Sequence, residues 1–502
     1  LMSGSSPHCM EPSCRGSART VISLIESSRF EVEPNPDQRN AMTTTYRTQN
    51  PATGELIEEY PFATDDEIQQ ATANAATAYD TWSEMKMAER GRILNKLADL
   101  FEGHAEDLAA QATREMGKNT REALGEVKYC ARIIRYYANE GERLAADQEL
   151  KNIDGQTAIL RRRPIGTILG IMPWNFPYYQ VVRFAAPNLM LGNTVILKHA
   201  EICAGSAQKI AELMHEAGVI DGAYINVFAT HEQVSTMIAD PRIQGVSLTG
   251  SERAGSAVAE QAGRHLKKAV LELGGSDPYI VLDSADVATS ARRALFSRLS
   301  NTGQACTSNK RIIVMDDIYD EFVAELTKLA QELTPGNPAD ANRSEYAPLS
   351  SESAAENLMA QIEDARQSGA TVHVGGNRPE LPGYYVAPTV MTDVPESSRA
   401  FSEELFGPVV MVYRVQTEDE AIELANSSSY GLGGSVFSTD EQRAQAVADR
   451  LEVGMVHINA FNVGGEDLPF GGVKRSGFGR ELGPLGMDEF VNKQLLTINE
   501  PR

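Results

Sequence analysis

The chain has 502 residues, of which 42% are hydrophobic and 23% are charged, an ordinary balance for a globular protein with a large core. At roughly 150 residues per domain, this length predicts two or three domains. The formal net charge is −23, which argues against a nucleic acid or an anionic membrane surface as the main partner, because both are polyanionic. No apolar run reaches the roughly 18 residues that a membrane span requires.

Residues 1–45 differ in composition from the rest of the chain. They are rich in Ser and Pro and contain no apolar stretch of the signal-peptide type. We expect a disordered leader here, with Met42 as the more natural start. A transit peptide is the alternative, although Glu26, Glu31 and Glu33 count against it.

Residues 65–148 contain no proline and carry apolar residues at helical spacing. This pattern predicts helices over about 65–82, 87–114 and 120–146. In residues 149–163 the period changes, and Asp154-Gly155 stands between two strand-like runs. Both positions of such a turn need a positive φ, so we predict a β-hairpin.

From residue 164 onwards, strand-like and helix-like segments alternate, which predicts an α/β fold with parallel sheets covered by helices on both faces. The first region predicts strands at 166–171, 194–197, 225–228 and 245–248, and helices at 179–190, 202–217, 231–239 and 252–263. The second region predicts strands at 311–315, 371–374, 409–413, 434–437, 455–458 and 490–498. We expect two α/β halves that share a cleft.

Two side chains stand where chemistry is expected. Cys306 follows Gly303 in a polar loop sequence, which is typical of a nucleophile, although a lone Cys is more often a small buried hydrophobe. No CxxC pair with matching histidines is present among Cys9, Cys14, Cys130, Cys203 and Cys306, so we expect neither a metal nor disulfides, and a cytoplasmic location. Glu272 ends an apolar strand and precedes two glycines, which indicates a partly buried general base or a simple strand-end charge.

Two loops could supply hydrogen-bond donors. Pro173 and Pro177 make a rigid extended loop in which Asn175 presents a fixed amide, either to an oxyanion or within a structural turn. Gly250 and Ser251 join a strand to a helix, and a helix N-terminus is suited to bind phosphate. Alone this signal is weak, because Gly is common at such junctions.

Together these segments resemble the aldehyde dehydrogenase superfamily from about residue 46 to residue 500. The matching motifs are Pro173–Pro177, Leu197–Glu201, Thr249–Gly255, Leu271–Gly275, Gly303–Cys306, Glu403–Pro408 and Pro469–Lys474. Lys198-His199-Ala200 and the stretch 271–278 are most similar to the succinate-semialdehyde dehydrogenase branch with a single active-site Cys.

The resemblance implies an α/β fold with three parts. These are a Rossmann-type nucleotide-binding domain at 46–148 and 164–272, a catalytic domain at 273–487, and an oligomerisation arm at 149–163 and 488–502. Through this arm the subunits would pair as a homodimer or homotetramer.

The resemblance also implies the chemistry. The Cys306 thiolate would attack an aldehyde to give a thiohemiacetal, and Asn175 with the Cys306 N–H would hold the oxyanion. Hydride transfer to nicotinamide would leave a thioester, and Glu272 would activate the water that hydrolyses it. Lys198 and Glu201 would hold the adenosine ribose, and Glu201 favours NAD, with NADP possible. Further implied nucleotide contacts are Ile171, Met172, Trp174, Gly250, Ser251, Leu273, Glu404 and Phe406.

The aldehyde itself is less strongly indicated. Arg183, eight residues past Asn175, suits a substrate carboxylate, and a salt-bridged Arg on a helix surface is the alternative. Relatives carry a further Arg where this chain has Ser300, while Glu466 and Asp467 would oppose an anionic substrate if they point inward. We expect succinate semialdehyde, with a general aldehyde dehydrogenase as the alternative. A CoA-acylating enzyme or a thioesterase would leave Glu272 or the nucleotide residues without a purpose.

Overall fold

The computed structural model describes residues 45–150, 157–340, 345–461 and 463–498, all within the compact unit Thr45–Arg502. Apart from its last residue, the predicted leader lies outside the described residues. The same holds for the turn Asp154-Gly155 of the predicted hairpin.

The N-terminal part is largely helical. Its elements are β1 (Thr45–Gln49), β2 (Leu56–Pro61), α1 (Asp65–Glu84), α2 (Met87–Gly103), α3 (Ala105–Met116), α4 (Thr120–Leu144), β3 (Gln148–Leu150) and β4 (Thr157–Pro164). The single helix predicted at 87–114 is wrong, because α2 and α3 are separate and meet at His104. Gly103, a poor helix former, ends the first of them.

A six-stranded sheet follows. Its elements are β5 (Thr167–Met172), α5 (Tyr179–Leu191), β6 (Thr194–His199), α6 (Ala204–Ala217), β7 (Tyr224–Asn226), α7 (His231–Ala239), β8 (Ile243–Thr249), α8 (Glu252–Arg264) and β9 (Lys268–Glu272). These strands are parallel in the order β9-β8-β5-β6-β7. Apolar clusters pack on its two faces, which confirms the predicted parallel sheet with helices on both sides.

A seven-stranded sheet forms the second half of the chain. Its region contains β10 (Pro278–Val281), α9 (Val287–Leu299), β11 (Arg311–Met315), α10 (Asp316–Gln331), β12 (Thr334–Pro335), β13 (Glu345–Tyr346), α11 (Glu352–Ser368), β14 (Thr371–Val374), β15 (Thr389–Thr392), α12 (Arg399–Ser402), β16 (Val409–Val415), α13 (Glu418–Asn426), β17 (Tyr430–Gly431), β18 (Gly433–Phe437), α14 (Glu441–Ala448) and β19 (Met455–Ile458). The strand order is β14-β15-β16-β11-β10-β18-β19, and β14 alone runs antiparallel to its neighbour in this described sheet.

The last part of the chain returns to the six-stranded sheet and to strand β4. The last elements are β20 (Val473–Lys474), β21 (Gly477–Phe478), α15 (Gly483–Met487) and β22 (Val491–Ile498). Strand β21 pairs antiparallel with β9 and so joins the six-stranded sheet, although it lies inside the predicted catalytic domain. Strand β22 pairs with β4, and β4 with β3, in a three-stranded antiparallel sheet at the place of the predicted oligomerisation arm. The predicted domain boundaries stay predictions.

Candidate active site

The loop before Cys306 has an unusual backbone. A short 3-10 helix covers Ser300–Gly303, and within it Asn301, Thr302 and Gly303 have φ values of 50°, 55° and 75°. Residues other than glycine rarely adopt this left-handed conformation, so the surroundings must hold it. A Cβ atom at Gly303 would overlap the carbonyl of Gly407, so the Cys306 loop lies directly against the 403–408 loop.

Arg298 ties these two loops together. Its side chain is fully buried and donates to five neutral oxygens, which are the carbonyls of Gly303 (3.1 Å), Leu405 (2.6 Å), Gly407 (2.6 Å) and Val409 (2.6 Å) and the Ser308 hydroxyl (2.5 Å). Burial lowers the pKa of Arg298 to about 9. All of its guanidinium N–H groups are therefore spent on fixing the backbone around the nucleophile.

Cys306 is partly accessible and lines a cavity of about 330 Å³. Burial raises the pKa of its thiol to about 12, while the positive charges of Lys310 and Arg183 lower it and the carboxylates Glu404 and Glu272 raise it. The thiol therefore depends on nearby cations to reach its reactive thiolate form.

Asn175 lies against the same loop, as the motif predicts. The Asn175 side-chain Nδ2 donates to the backbone carbonyl of Gln304 at 3.1 Å. The backbone carbonyl of Asn175 accepts from Asn301 Nδ2 at 2.9 Å. The side chain is only 5% exposed. An amide carries two N–H donors, so one stays available for an oxyanion near Cys306.

The loop that carries Asn175 is held by residues to which the sequence patterns assigned no role. Glu126 accepts from the backbone N–H groups of Tyr178 and Tyr179, both at 2.9 Å, and pairs with the buried Lys118 at 2.5 Å. His199 Nε2 donates to the Pro177 carbonyl at 2.8 Å, and burial lowers the His199 pKa to about 4, which keeps the ring neutral. His199 stands in the Lys-His-Ala motif, which was the available signal.

Glu272 lies at the carboxyl end of β9 and is 2% exposed. Neither carboxyl oxygen has a hydrogen-bond partner among the described residues. Burial raises its pKa well above the usual value, and Arg183 counteracts this in part. Once this carboxyl ionises, its two oxygens are free to accept a proton from water. The placement of Glu272 therefore fits the predicted general base.

The predicted nucleotide contacts gather along the carboxyl ends of β5, β6 and β8. Ile171 and Met172 end β5, and Trp174 follows with its ring 5.7 Å from that of Phe406 in an edge-on arrangement. Lys198 Nζ lies 3.9 Å from Glu201 Oε1 and 5.3 Å from the Tyr46 ring.

Gly250 follows β8, and Ser251 begins α8 by accepting the Ala254 N–H at 3.3 Å. Among the described residues, a Cβ at Gly250 would meet only Leu248 within 4 Å, at 3.5 Å, so these residues leave room beside Gly250.

Leu273 and Glu404 lie on the side of the nucleophile. The Leu273 N–H donates to the Ser476 carbonyl at 3.0 Å, which fixes the backbone after Glu272. Glu404 Oε1 accepts from the Gly275 N–H at 3.1 Å and pairs with Lys310 at 2.9 Å. A dinucleotide needs hydroxyl acceptors for its two riboses and an open helix start for its pyrophosphate. Glu201, Glu404 and the start of α8 supply these groups, so the residues present fit such a cofactor.

Arg183 lines the same cavity as Cys306, but its guanidinium already has partners. It pairs with Glu481 and lies over the Tyr179 and Phe470 rings at 4.9 and 4.4 Å. Its side chain is fully buried, so it is not a helix-surface residue as the alternative supposed. Its role toward a substrate carboxylate stays a prediction.

The other substrate-side residues have clear positions. Ser300 lines the cavity, with its hydroxyl 3.5 Å from Glu122, and Glu122 also accepts the Asn301 N–H at 3.0 Å. Burial raises the pKa of Glu122. Glu466 pairs with Arg132 at 3.4 Å, and neither Glu466 nor Asp467 is among the cavity-lining residues. The two carboxylates therefore do not add charge to the cavity wall.

A partly accessible thiol, a fixed amide and a buried carboxyl thus lie beside a strand edge whose residues fit a dinucleotide. The sequence model of the Aldehyde dehydrogenase family matches residues 38–496, and the chain belongs to this family. It is an oxidoreductase that acts on aldehydes.

Particular relatives narrow the comparison. The chain is 53% identical to a succinate-semialdehyde dehydrogenase [NADP(+)] of Deinococcus radiodurans, over 90% of this chain and 94% of that protein. It is 42% identical to succinate-semialdehyde dehydrogenase [NADP(+)] 1 of Mycobacterium tuberculosis, over 90% and 99% of the two chains. The crystal structure of succinic semialdehyde dehydrogenase from Streptococcus pyogenes with NADP+ superposes with a TM-score of 0.88 at 42% identity, covering 91% of this chain and 100% of that one.

Among the described residues, no helix combines the length and the apolar character that crossing a bilayer requires.

Proposed function

We propose that this protein oxidises succinate semialdehyde to succinate through a covalent intermediate on Cys306. The observation that carries the proposal is a single cavity, about 330 Å³ in volume, that is lined by both Cys306 and Arg183. A small aldehyde in this cavity could place its carbonyl carbon at the thiol and a carboxylate toward the guanidinium. The names of the relatives at 53% and 42% identity support the same substrate.

The residues divide the reaction into three tasks. The Cys306 thiolate forms a bond to the aldehyde carbon, and the negative charge on the former carbonyl oxygen is held by the free N–H of Asn175 Nδ2 and by the Cys306 N–H. A pyridine nucleotide held by Glu201, Glu404 and the start of α8 would supply the hydride acceptor for that carbon. Glu272 then takes a proton from water, whose oxygen attacks the thioester carbon and releases the acid and the Cys306 thiolate.

The substrate can be tested with matched aldehydes. Succinate semialdehyde and butanal have the same chain length but differ in the carboxylate. We expect a higher kcat/KM for succinate semialdehyde. Arg183→Met should lower kcat/KM for both aldehydes, because the Arg183 charge also favours the Cys306 thiolate, but it should lower the succinate semialdehyde value on the order of tenfold more, since a charged hydrogen bond is lost. Arg132→Met, at the exposed pair with Glu466, serves as the control. Equal loss for both aldehydes would make Arg183 structural and the enzyme a general aldehyde dehydrogenase.

Two observations on the nucleotide point in different directions. Glu201 is 43% exposed in its side chain and lies beside Lys198, where a carboxylate accepts ribose hydroxyls and repels a 2′-phosphate. The relatives from Deinococcus radiodurans and Mycobacterium tuberculosis are named for NADP(+). Our proposal for this chain is that NAD is preferred and NADP is also used. The ratio of kcat/KM for the two nucleotides tests it, and a ratio in favour of NADP contradicts it.

Assembly and location are proposed on separate grounds. The sheet β22-β4-β3 exposes Leu495 by 60% and Ile498 by 53%, which suits a homodimer or homotetramer formed through this arm. Sedimentation of the native chain would test the proposal, and a monomer at micromolar concentration would contradict it. The described cysteines Cys130, Cys203 and Cys306 are unpaired, which suits the cytoplasm.

A further inference from the structure

A buried cation that the proposed reaction does not use lies next to the nucleophile. The Lys310 side chain is fully buried, and its Nζ donates to the carbonyls of Ala305 and Cys306, both at 2.7 Å, and to Glu404 Oε1 at 2.9 Å. An ammonium group has three N–H donors, so all of them are occupied. Lys310 therefore connects the peptide that carries the nucleophile to a carboxylate of the nucleotide site.

Glu404 links this interior contact to the accessible site. Its side chain is 17% exposed, and it accepts the Gly275 N–H at 3.1 Å in addition to Lys310. Two more groups face Lys310. Asp277 accepts the Gly433 N–H at 3.0 Å and burial raises its pKa to about 7, while the Phe406 ring lies 5.9 Å from Nζ. Glu404 is the carboxylate in direct contact with Lys310.

We propose that Lys310 is a positioning residue that couples the nucleotide site to the nucleophile. It fixes the carbonyls on both sides of the thiol-bearing residue and holds a positive charge near the thiol, and Glu404 sets how much of that charge the thiol experiences. The proposal rests on the proposed roles of Cys306 and Glu404.

The direction of the coupling follows from the charges that face Cys306. Lys310 and Arg183 favour the thiolate, whereas Glu404 and Glu272 disfavour it. Hydrogen bonds from ribose hydroxyls to Glu404 would weaken the interaction between Glu404 and Lys310. The positive charge of Lys310 would then be less compensated. A bound nucleotide would then make the thiol more reactive, because the field of an interior cation is weakly screened.

The test measures the thiol without nucleotide or substrate, so that aldehyde oxidation is not the readout. The rate of alkylation by iodoacetamide is compared in wild type, Lys310→Met, Glu404→Gln and the double variant, and peptide mass identifies Cys306 as the site. Cys130 and Cys203 are fully buried. The thiolate ultraviolet absorbance, as the difference from Cys306→Ser, gives the pH titration of the same group.

We expect Lys310→Met to slow alkylation at neutral pH on the order of tenfold, which corresponds to a thiol pKa higher by about one unit. Glu404→Gln should accelerate alkylation several-fold, since Lys310 then lacks its counter-charge. In the double variant the acceleration should be smaller, because no ammonium group is then left for Glu404 to compensate. Lys328→Met, at an exposed pair with Glu325, removes a lysine charge elsewhere and should change nothing.

A purely structural role predicts a different pattern. Loosening of the loop would shift both single variants in the same direction and leave the thiolate titration unmoved, and either result overturns the proposal. If Lys310→Met does not fold, Glu404→Gln alone decides, since an unchanged or slower rate contradicts the coupling. Failure of the proposed function is distinguished separately, because it would appear as aldehyde oxidation retained in Cys306→Ala.

Discussion

Two Lys–Glu pairs lie on the two sides of the proposed nucleotide site, and they differ in their separation and in the exposure of the carboxylate. Lys198 and Glu201 are 3.9 Å apart, and the Glu201 side chain is 43% exposed. Lys310 and Glu404 are 2.9 Å apart, with side chains 0% and 17% exposed. The Lys198 side chain is only 8% exposed, but water reaches Glu201, so the charge of this carboxylate is screened and it stays free to bind. The second pair lies in a low-dielectric interior, where each charge strongly affects its neighbours.

The two pairs also differ in how the chain assembles them. Lys198 and Glu201 are three residues apart at the end of β6, so their proximity is local and follows from one motif. Lys310 precedes β11 and Glu404 precedes β16, and these strands are neighbours in the seven-stranded sheet. The sheet therefore brings the second pair together. On the proposed roles, the same residue types serve nucleotide selectivity where water reaches the carboxylate and alignment of the nucleophile where both side chains are largely buried.

The largest effect is expected when the Cys306 thiol, which lies next to the interior pair, is removed. Cys306→Ala should lower aldehyde oxidation by at least about 10⁴-fold, since the covalent route is lost. Nucleotide affinity should persist, because Lys198, Glu201 and Glu404 remain. Steady-state rates and nucleotide titration by calorimetry measure the two properties. A rate close to wild type would exclude the covalent mechanism.

The next effect concerns hydrolysis and its pH dependence. The raised pKa of Glu272 means that the neutral form prevails at low pH and that the base form grows as pH rises. Wild-type turnover should therefore increase with pH in the range where hydrolysis limits the rate. Glu272→Gln should slow turnover by about 10²–10⁴-fold and remove this rise, while a burst of reduced nucleotide remains. Stopped-flow absorbance resolves the burst, and its absence would place Glu272 earlier in the reaction.

A smaller effect is expected at the glycine beside the base. Gly471 has a φ of 151°, and a Cβ there would lie 2.7 Å from Glu272 Oε1. Gly471→Ala should displace the carboxyl and reduce kcat on the order of tenfold, because small misplacements of catalytic groups are costly. Gly263→Ala, where the added Cβ meets nothing within 4 Å, is the control. Equal kcat values for both variants would show that Glu272 tolerates the shift.

Local sequence patterns predicted most of the strands and helices of the fold. The predicted strands at 311–315, 371–374 and 455–458 coincide with β11, β14 and β19, because apolar β-rich runs there are bounded by clear breaks. Strands β10 and β15 were not predicted. Pro278 begins β10 and Pro388 directly precedes β15, and proline is a sequence signal for a loop rather than for a strand.

The site residues fall into the same two groups as the ion pairs: some lie within one sequence motif, and others are brought together only by the folded sheet. Asn175, Glu272 and Cys306 lie in motifs, so their neighbourhoods could be predicted from the chain. Arg298 and Lys310 could not, because a buried cation is recognised only by the carbonyls and the carboxylate that surround it. Some of those partners are local, but Val409, Leu405 and Glu404 come from distant segments that the seven-stranded sheet brings together.

The smallest effect tests the exposed pair alone. Glu201→Ser removes the carboxylate that would repel a 2′-phosphate and leaves a hydroxyl that can donate to it, so the NADP/NAD ratio of kcat/KM should rise on the order of tenfold. Glu212→Ser provides a matched control, because Glu212 and Lys209 form another exposed pair at 3.9 Å with the same spacing. The rate of Cys306 alkylation without nucleotide should be the same in both variants, since Glu201 is not among the charges that shift the Cys306 pKa. A change in that rate would contradict the separation of the two pairs, and an unchanged NADP/NAD ratio would assign nucleotide selection to other residues.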